Sequence, residues 1–180
     1  MNEKETEIVK IPEERVGVLI GKEGSARQLL EKKCNVELSI DSEGEVRITG
    51  NPTSVFFCLD VVKAIGRGFK PKTALLLLKD DYLLYIIHLK EIVDSDRAKT
   101  RVKGRVIGEK GKIKEQIESS TESCISVYGN TISLIAKMDA MERVKEAVNM
   151  LLNGAKHTTV LNFLAKTKRE LMTERLRNSQ

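Results

Sequence analysis

The spacing of apolar residues predicts one series of elements that occurs twice along the chain. In the first copy, stretches with two-residue and helical periods follow each other in the order strand, helix, helix, strand, strand, helix. The predicted elements are strand Glu7–Pro12, helix Glu13–Ile20, a helix with Ala26, Leu29 and Leu30 on one face, strands Val36–Ile40 and Glu45–Thr49, and a helix that Asn51-Pro52 opens and that ends near Gly66–Gly68. Ser25 is predicted to cap the second helix.

The second half of the chain repeats this order. Its predicted elements are a strand within Leu83–Val93, helix Arg101–Ile107, a helix with Ile113 and Ile117, strands Ser123–Tyr128 and Thr131–Ala136, and a helix to about Leu152 that Asp139 caps. Gly129-Asn130 suits the two-residue turn between the two strands. Two further helices are predicted at Pro71–Lys79 and at His157–Arg177, the latter with an apolar face of Val160, Leu161, Leu164, Leu171 and Met172.

A glycine-rich segment separates the first two predicted helices of each copy. Four residues of the first copy recur 87 positions later, in the pairs Gly17 and Gly104, Ile20 and Ile107, Gly21 and Gly108, and Gly24 and Gly111. A single Gly-x-x-Gly is weak evidence, but its recurrence within the same order of elements indicates an internal repeat. A glycine turn lets another backbone approach closely, and the next helix offers free N–H groups and a positive dipole end, which suits a phosphodiester.

The segments Ile20-Gly-Lys-Glu-Gly24 and Ile107-Gly-Glu-Lys-Gly111 resemble the loop of the KH domain family. Two strands follow the loop helix in each copy, which resembles the eukaryotic-type (type I) arrangement. The resemblance implies an α+β fold of two tandem type I KH domains, each β-α-α-β-β-α with a three-stranded antiparallel sheet, plus linker and C-terminal helices. It also implies a groove for about four single-stranded nucleotides.

Carried over position by position, the resemblance implies two RNA-binding grooves. The first would be formed by Gly17, Ile20, Gly21, Lys22, Glu23, Gly24, Ser25 and Arg27, with a strand edge at Leu38 and Ile40. The second would be formed by Gly104, Arg105, Ile107, Gly108, Glu109, Lys110, Gly111 and Lys112, with a strand edge at Ile125 and Val127. Each loop holds an acid and the loop Asp41–Glu45 is acidic, so the alternative is a structural or partner-binding role for either copy, more readily the first.

The net charge of +5 is distributed unevenly. Residues 1–70 carry a balance of −1, residues 71–100 of 0, residues 101–153 of +2 and residues 154–180 of +4. The cations around the second loop are Arg101, Lys103, Arg105, Lys110, Lys112 and Lys114. A solvated helix face ordinarily explains such a run, but beside a loop suited to phosphate we favour RNA contact. The tail cations Lys166, Lys168, Arg169, Arg175 and Arg177 fit RNA contact and simple solvation equally well.

The remaining patterns argue against other classes of function. Cys34, Cys58 and Cys124 lie far apart and are predicted to be reduced and mostly buried. The sequence shows no histidine spacing for a metal, no paired carboxylates and no nucleotide-binding phosphate loop, so we predict no enzyme activity and no cofactor. No stretch approaches the roughly 18 apolar residues of a spanning helix and the N-terminus has no secretory leader, so we expect a cytoplasmic protein without membrane association.

Three further segments, Gly66–Pro71, Ala74–Leu78 and Lys103–Gly108, resemble the archaeal form of a KH-domain factor for small-subunit rRNA processing and ribosome assembly. The resemblance divides the chain into a KH domain at 1–70, a linker helix at 71–81, a KH domain at 82–153 and a basic helix at 154–180. It implies binding of single-stranded RNA at the 3′ end of small-subunit (16S) rRNA, with the rRNA endonuclease and the rRNA dimethylase as partners. An initiation factor that works in the same region is a further candidate partner, which no sequence feature supports. The alternatives are a protein scaffold for an rRNA-processing enzyme with weak RNA contact, and a general KH-type RNA regulator.

Overall fold

The computed structural model describes residues 4–178, whose contacts divide the chain between Leu84 and Tyr85 into two compact units. The first series of elements is β1 (Glu5–Lys10), α1 (Glu13–Ile20), α2 (Ser25–Cys34), β2 (Val36–Ile40), β3 (Glu45–Gly50), α3 (Pro52–Gly66) and α4 (Pro71–Ala74). The second series is β4 (Tyr82–His88), α5 (Asp96–Ile107), α6 (Lys112–Thr121), β5 (Cys124–Tyr128), β6 (Thr131–Lys137), α7 (Met138–Leu152) and α8 (His157–Asn178). Short 3₁₀ turns occupy Lys22–Gly24, Leu75–Leu78, Leu89–Glu91 and Glu109–Gly111.

Each unit contains one three-stranded sheet, which confirms the predicted α+β fold. The strand orders are β1-β3-β2 and β4-β6-β5, so the strand after the loop helix lies at an edge of its sheet in both units. β2 runs antiparallel to β3 with Leu38 opposite Ile48, and β5 runs antiparallel to β6 with Ile125 opposite Leu134. A free edge therefore faces away from the central strand in each copy.

The helices cover the apolar face of each sheet. Val46 and Ile48 of β3 are fully buried, and so is Leu134 of β6. Full burial of such a side chain is worth about 1.5–3 kcal/mol, so the strand face and the helix faces together hold the loops in place.

The structure corrects several predicted boundaries and caps. α5 begins at Asp96 and not at Arg101, because the Ser95 hydroxyl accepts a hydrogen bond from the Ala98 N–H at 3.2 Å. Ser25 and Asp139 are not caps: Ser25 is the first residue of α2 and Asp139 lies in the first turn of α7. β4 covers Tyr82–His88, so it begins one residue before the segment Leu83–Val93 within which a strand was predicted.

The segment predicted as a linker helix is one α-helical turn followed by a 3₁₀ turn that ends at Leu78. This segment packs against α3, and its 3₁₀ turn also contacts α2, whereas α8 packs against α6 and α7. Leu77 and Leu164 lie 87 positions apart and both are buried. The start of α8 therefore corresponds to the linker segment, and the structural repeat is longer than the sequence motifs indicate.

Within residues 4–178, no helix combines the length and the apolar character that crossing a membrane requires.

Candidate nucleic-acid interface

The first glycine of each loop has a backbone conformation that other residues avoid. Gly21 has φ 74° and ψ 174°, and Gly108 has φ 72° and ψ 178°. A Cβ atom at Gly21 would lie 2.7 Å from the Cβ of Ala26, and a Cβ at Gly108 would lie 2.5 Å from Cγ1 of Ile113. Both conformation and space therefore require glycine at the end of α1 and of α5.

The rest of the loop is also the same in both units, although its charges are exchanged. Gly24 and Gly111 are left-handed, with φ 79° and 82°. The residue before each of them is left-handed as well, at φ 54° for Glu23 and 51° for Lys110. The same backbone position thus carries an anion in the first loop and a cation in the second.

Each loop leads into a helix whose first turn is open to a ligand. Gly24 is the N-cap of α2 and Gly111 is the N-cap of α6, and no side chain among the described residues caps either helix. Amide N–H groups in the first turn of a helix carry a partial positive charge and suit an oxyanion. Ser25, predicted as a cap, is exposed, so its hydroxyl adds a possible donor at this end.

The helix before each loop exposes bare backbone next to an isoleucine. Gly17 and Gly104 are exposed, and no heavy atom of the described residues beyond their immediate surroundings lies within 4 Å of where a Cβ would stand. Ile20 is half-buried, and Ile107 is 37% exposed. Together they form an open, partly apolar surface beside the loop.

The six cations predicted near the second loop point in different directions. Arg101, Lys110 and Lys112 are exposed. Lys103 Nζ donates to the Gly129 carbonyl at 3.1 Å, and the Arg105 guanidinium lies against Gly154. Lys114 pairs with Glu118 at 3.0 Å. Half of the predicted set is therefore directed into solvent around the loop.

The first unit is less basic at the corresponding positions. Glu14, Val16 and Val18 occupy the places of Arg101, Lys103 and Arg105. Arg27, at the position of Lys114, pairs with Glu31 at 3.2 Å. The exposed positive charge beside this loop is thus reduced to Lys22 and the outer part of Arg27.

The predicted strand edges lie beside the loop helices, and one side chain of each edge is buried in the protein. Leu38 and Ile125 are 2% and 3% exposed and belong to the hydrophobic cores, while Ile40 and Val127 are half-buried. The Leu38 N–H donates to Oε1 of Glu31 at 2.9 Å, and the Ile125 N–H donates to Oε1 of Glu118 at 2.7 Å. Leu38 and Ile125 therefore offer a ligand mainly their main chain, whereas Ile40 and Val127 also offer part of their side chains.

Sequence analysis missed Glu31 and Glu118. The sequence did contain a signal for them, because the two glutamates are 87 positions apart, as the repeat requires, and each follows a cation by four residues. Their importance depends on a contact with a strand seven residues further along the chain, which spacing alone does not show.

The cysteines confirm the expectation of free and mostly buried thiols, since Cys34 and Cys58 are buried and Cys124 is half-buried. A hydrogen bond between Cys58 and Cys34 raises the pKa of Cys58, and burial raises the pKa of Cys124. Over the described part of the chain, no group of three or more His, Cys, Asp or Glu side chains could hold a metal ion.

Each unit combines a glycine loop between two helices, an open helix N-terminus and a free strand edge. This combination defines a class of module that binds the backbone of a single-stranded nucleic acid. Residues 83–169 match the eukaryotic-type KH domain (type I), and residues 6–64 match the KH domain. A KH domain-containing protein from Methanocaldococcus jannaschii is 43% identical over 178 residues, which cover 96% of this chain and 78% of that protein. The chain belongs to the KH domain family, whose members bind single-stranded RNA through this loop.

Solved structures show the same architecture over nearly the whole chain. Dim2p from Pyrococcus horikoshii has a TM-score of 0.84 and 39% identity, covering 90% of this chain and 99% of that one. A chain of the a/eIF2alpha-aDim2p-rRNA complex from the same organism has a TM-score of 0.86 and 40% identity, covering 93% and 96%. A protein of unknown function from Aeropyrum pernix has a TM-score of 0.88 and 32% identity, covering 97% of both chains.

Proposed function

We propose that this protein binds a single-stranded segment at the 3′ end of small-subunit rRNA during ribosome biogenesis, in the cytoplasm and without catalysis of its own. The observation that carries the proposal is the pair of glycine loops, each opening onto a helix whose N-terminus no described side chain caps. The choice of rRNA is supported by the Pyrococcus relative, which was crystallised in a complex with rRNA.

The second unit is the anchor of the RNA backbone in this proposal. Its loop places Lys110 at the left-handed position, and Arg101 and Lys112 are exposed on either side. In the first unit the corresponding loop position holds Glu23. The first groove then lengthens the RNA segment that the protein binds, but it attracts the RNA phosphates less strongly.

The proposed binding surface includes the loop residues of both units, Ile20, Ile107 and the main chain of the strand edges at Leu38, Ile40, Ile125 and Val127. We place the KH domains at 1–70 and 82–153, with a linker at 71–81 and a basic C-terminal helix at 154–180. The family matches at residues 6–64 and 83–169 support the presence of two KH domains, and the second match extends into the C-terminal helix.

A protein partner is part of the proposal. We put an initiation factor first, because the Pyrococcus relative was crystallised together with a/eIF2alpha. The rRNA endonuclease and the rRNA dimethylase are further proposed partners. The first unit is the better candidate for such a contact, since its loop is less basic and Phe56 on α3 is 67% exposed.

The test is the substitution Lys110→Asp in the full chain. Aspartate tolerates the left-handed backbone at this position, so the loop keeps its shape while a phosphate contact becomes a repulsion. We expect binding to an RNA of the 3′-terminal small-subunit sequence to weaken by about tenfold or more, and the salt dependence to become shallower. Fluorescence anisotropy over a range of salt concentrations measures both.

The matched control is Lys90→Asp, which makes the same charge change at an exposed position of the second unit outside the glycine loop. This variant should bind nearly as well as the unmodified protein. Equal affinities of the Lys110→Asp and unmodified proteins would exclude the second loop as the RNA site. A preference for unrelated RNA over the 3′-terminal sequence would exclude the proposed target.

A further inference from the structure

A groove runs along the surface of the second unit between α6 and α8. This α6–α8 groove begins at Lys112, in the first turn of α6, and ends at Leu176, near the end of α8. Its two sections meet at Lys168 and have volumes of about 710 and 300 Å³. Between Leu161 and Leu176 the groove follows α8 for roughly 15 residues, or about 22 Å, which is the length of a helix of four turns.

Large apolar side chains of α8 remain exposed along the groove. Leu161, Met172 and Leu176 are 36%, 66% and 63% exposed. They lie 11 and 4 residues apart, close to whole numbers of helical turns, so they share one face of α8. Leu164 and Leu171 also line the groove and are buried, which makes its floor apolar. An exposed apolar stripe of this kind marks a surface that binds another molecule.

The charge that remains free along the groove is positive. Lys112 and Lys168 line it, are exposed and form no ion pair with a described residue. Of the two acids among the described lining residues, Glu122 is paired with Arg175 at 2.7 Å, which leaves Glu115. The groove therefore offers two free cations against one free acid.

A second copy of this chain does not complement that charge. An antiparallel pair of α8 helices, matched from Leu161 to Leu176, would be centred between Lys168 and Arg169. The cations of one copy would then lie beside those of the other, and a parallel pair would place Lys168 beside Lys168. Self-association therefore brings like charges together in the middle of the apolar stripe.

A single strand of RNA complements the charge but not the apolar stripe. Lys112 and Lys168 would attract its phosphates, yet Met172 and Leu176 would stay uncovered at the other end of the groove. A helix that lies in a groove covers such side chains with its own apolar face, whose anchors recur every three or four residues. Acidic side chains along the flanks of that helix would meet the two lysines.

We propose that the α6–α8 groove binds an amphipathic helix of a protein partner, with its apolar face against α8 and glutamate or aspartate along its flanks. This surface lies on the second unit, whereas the protein contact proposed above lies on the first. Binding of the helix does not require RNA, so it goes beyond the proposed function.

The experiment selects peptides with the full chain from a phage-displayed library of random sequences of about 16 residues. We expect the bound fraction to be enriched in sequences with apolar residues at helical spacing and acidic residues beside them. An enriched peptide should become helical on binding, as circular dichroism measures, and should bind more weakly as salt is added. Absence of enrichment, or enriched peptides without acidic residues or helical spacing, would overturn the proposal.

Leu176→Gln tests where the peptide binds. Because this side chain is exposed, the fold should persist while the affinity for the peptide, measured by fluorescence anisotropy, falls by about tenfold. Ile92→Gln is the matched control, since Ile92 is a 46% exposed apolar residue of the second unit that does not line the groove. Equal peptide affinities of Leu176→Gln and the unmodified protein would exclude the groove as the site.

Lys168→Glu tests the charge of the partner helix. It should weaken peptide binding by about tenfold, whereas Lys90→Glu makes the same charge change at an exposed position outside the groove and should not. Lys110→Asp should leave the peptide affinity unchanged as well. A loss in Lys110→Asp would mean that the acidic peptide binds the glycine loop, and would overturn the proposal.

Two further measurements decide between the possible occupants. Sedimentation of a dimer that Leu176→Gln dissociates would assign the groove to a second copy, and loss of affinity for the 3′-terminal RNA in Leu176→Gln would assign it to RNA. Either result would overturn the proposal, whereas an association state and an RNA affinity that Leu176→Gln leaves unchanged support it. Failure of the unmodified protein to bind RNA would overturn the proposed function alone.

Discussion

Gly104 shows at the level of one residue how binding and stability can oppose each other. It lies inside α5, where glycine costs about 0.5–1 kcal/mol relative to alanine. No heavy atom of the described residues outside its own helical surroundings lies within 4 Å of the position of a Cβ, so internal packing does not require glycine here. Close approach of an external backbone would explain it.

We therefore expect Gly104→Ala to raise the free energy of unfolding by about 0.5–1 kcal/mol and to weaken RNA binding by about tenfold. Urea denaturation and anisotropy with the same protein sample measure the two effects. Asn149→Ala, at an exposed site of α7, is the control that should gain stability without losing affinity. A variant that gains stability and binds RNA normally would show that RNA does not pass over Gly104.

At the scale of elements, α8 is attached to α7 and to the C-terminal end of α6 by ion pairs as well as by apolar contacts. Arg175 Nε donates to Oδ2 of Asp139 at 2.8 Å, and Arg175 also pairs with Glu122 at 2.7 Å. Arg143 pairs with Glu174 at 2.7 Å. From the sequence, RNA contact and simple solvation explained Arg175 equally well. These ion pairs instead give Arg175 a structural role within the protein. Of the predicted apolar face of α8, Val160, Leu164 and Leu171 are buried as expected, whereas Leu161 and Met172 are exposed.

The pH dependence of stability should report this attachment. The hydrogen bond from Arg175 lowers the pKa of Asp139, so the charged carboxylate stabilises the fold above its unfolded pKa of about 3.9, and this contribution is lost as the pH falls through the lower folded value. Asp139→Asn should cost about 0.5 kcal/mol at pH 7, a small figure because the side chain is 39% exposed. The difference from the unmodified protein should shrink towards pH 2.

Urea denaturation at pH 7 and at low pH measures both differences. Asp60→Asn removes an ion pair within one helix of the first unit and is the control with the same chemical change. An Asp139→Asn variant as stable as the unmodified protein at pH 7 would mean that the Arg175 ion pair contributes nothing to the docking of α8.

At the scale of the whole molecule, the excess positive charge belongs to the second half of the chain. The two glycine loops contain the same residue types in opposite order, Lys22-Glu23 and Glu109-Lys110, on nearly the same backbone. Order alone therefore decides which loop presents a cation at the left-handed position.

Exchanging the order tests that asymmetry without changing the net charge. Lys22→Glu combined with Glu23→Lys should strengthen RNA binding by about threefold, because the first loop then presents its cation as the second one does. Glu109→Lys combined with Lys110→Glu should weaken binding by about tenfold. Anisotropy of the two double variants at equal salt compares them directly, and identical affinities would contradict the assignment of the second unit as the anchor.

The sequence by itself determined the repeat, the order of elements and the two glycine loops. These features are local: helix and strand periods, turns and the unusual backbone of Gly21 and Gly108 depend on neighbouring residues, which the sequence lists in order. The start of α5 was within reach of the same reasoning, since Ser95 is an ordinary N-cap residue.

Only the tertiary structure decided where the charged side chains point and what the strand edge offers. The sequence places Lys103, Arg105 and Lys114 in one basic run. In the structure Lys103 and Lys114 bind partners within the protein, and the Arg105 guanidinium lies against Gly154. The resemblance placed Leu38 and Ile125 in the RNA-binding grooves. In the structure their side chains lie in the hydrophobic cores, and the N–H group of each donates a hydrogen bond to a glutamate. Side-chain direction and contacts between separate elements arise from packing, which is a property of the folded chain and not of residue spacing.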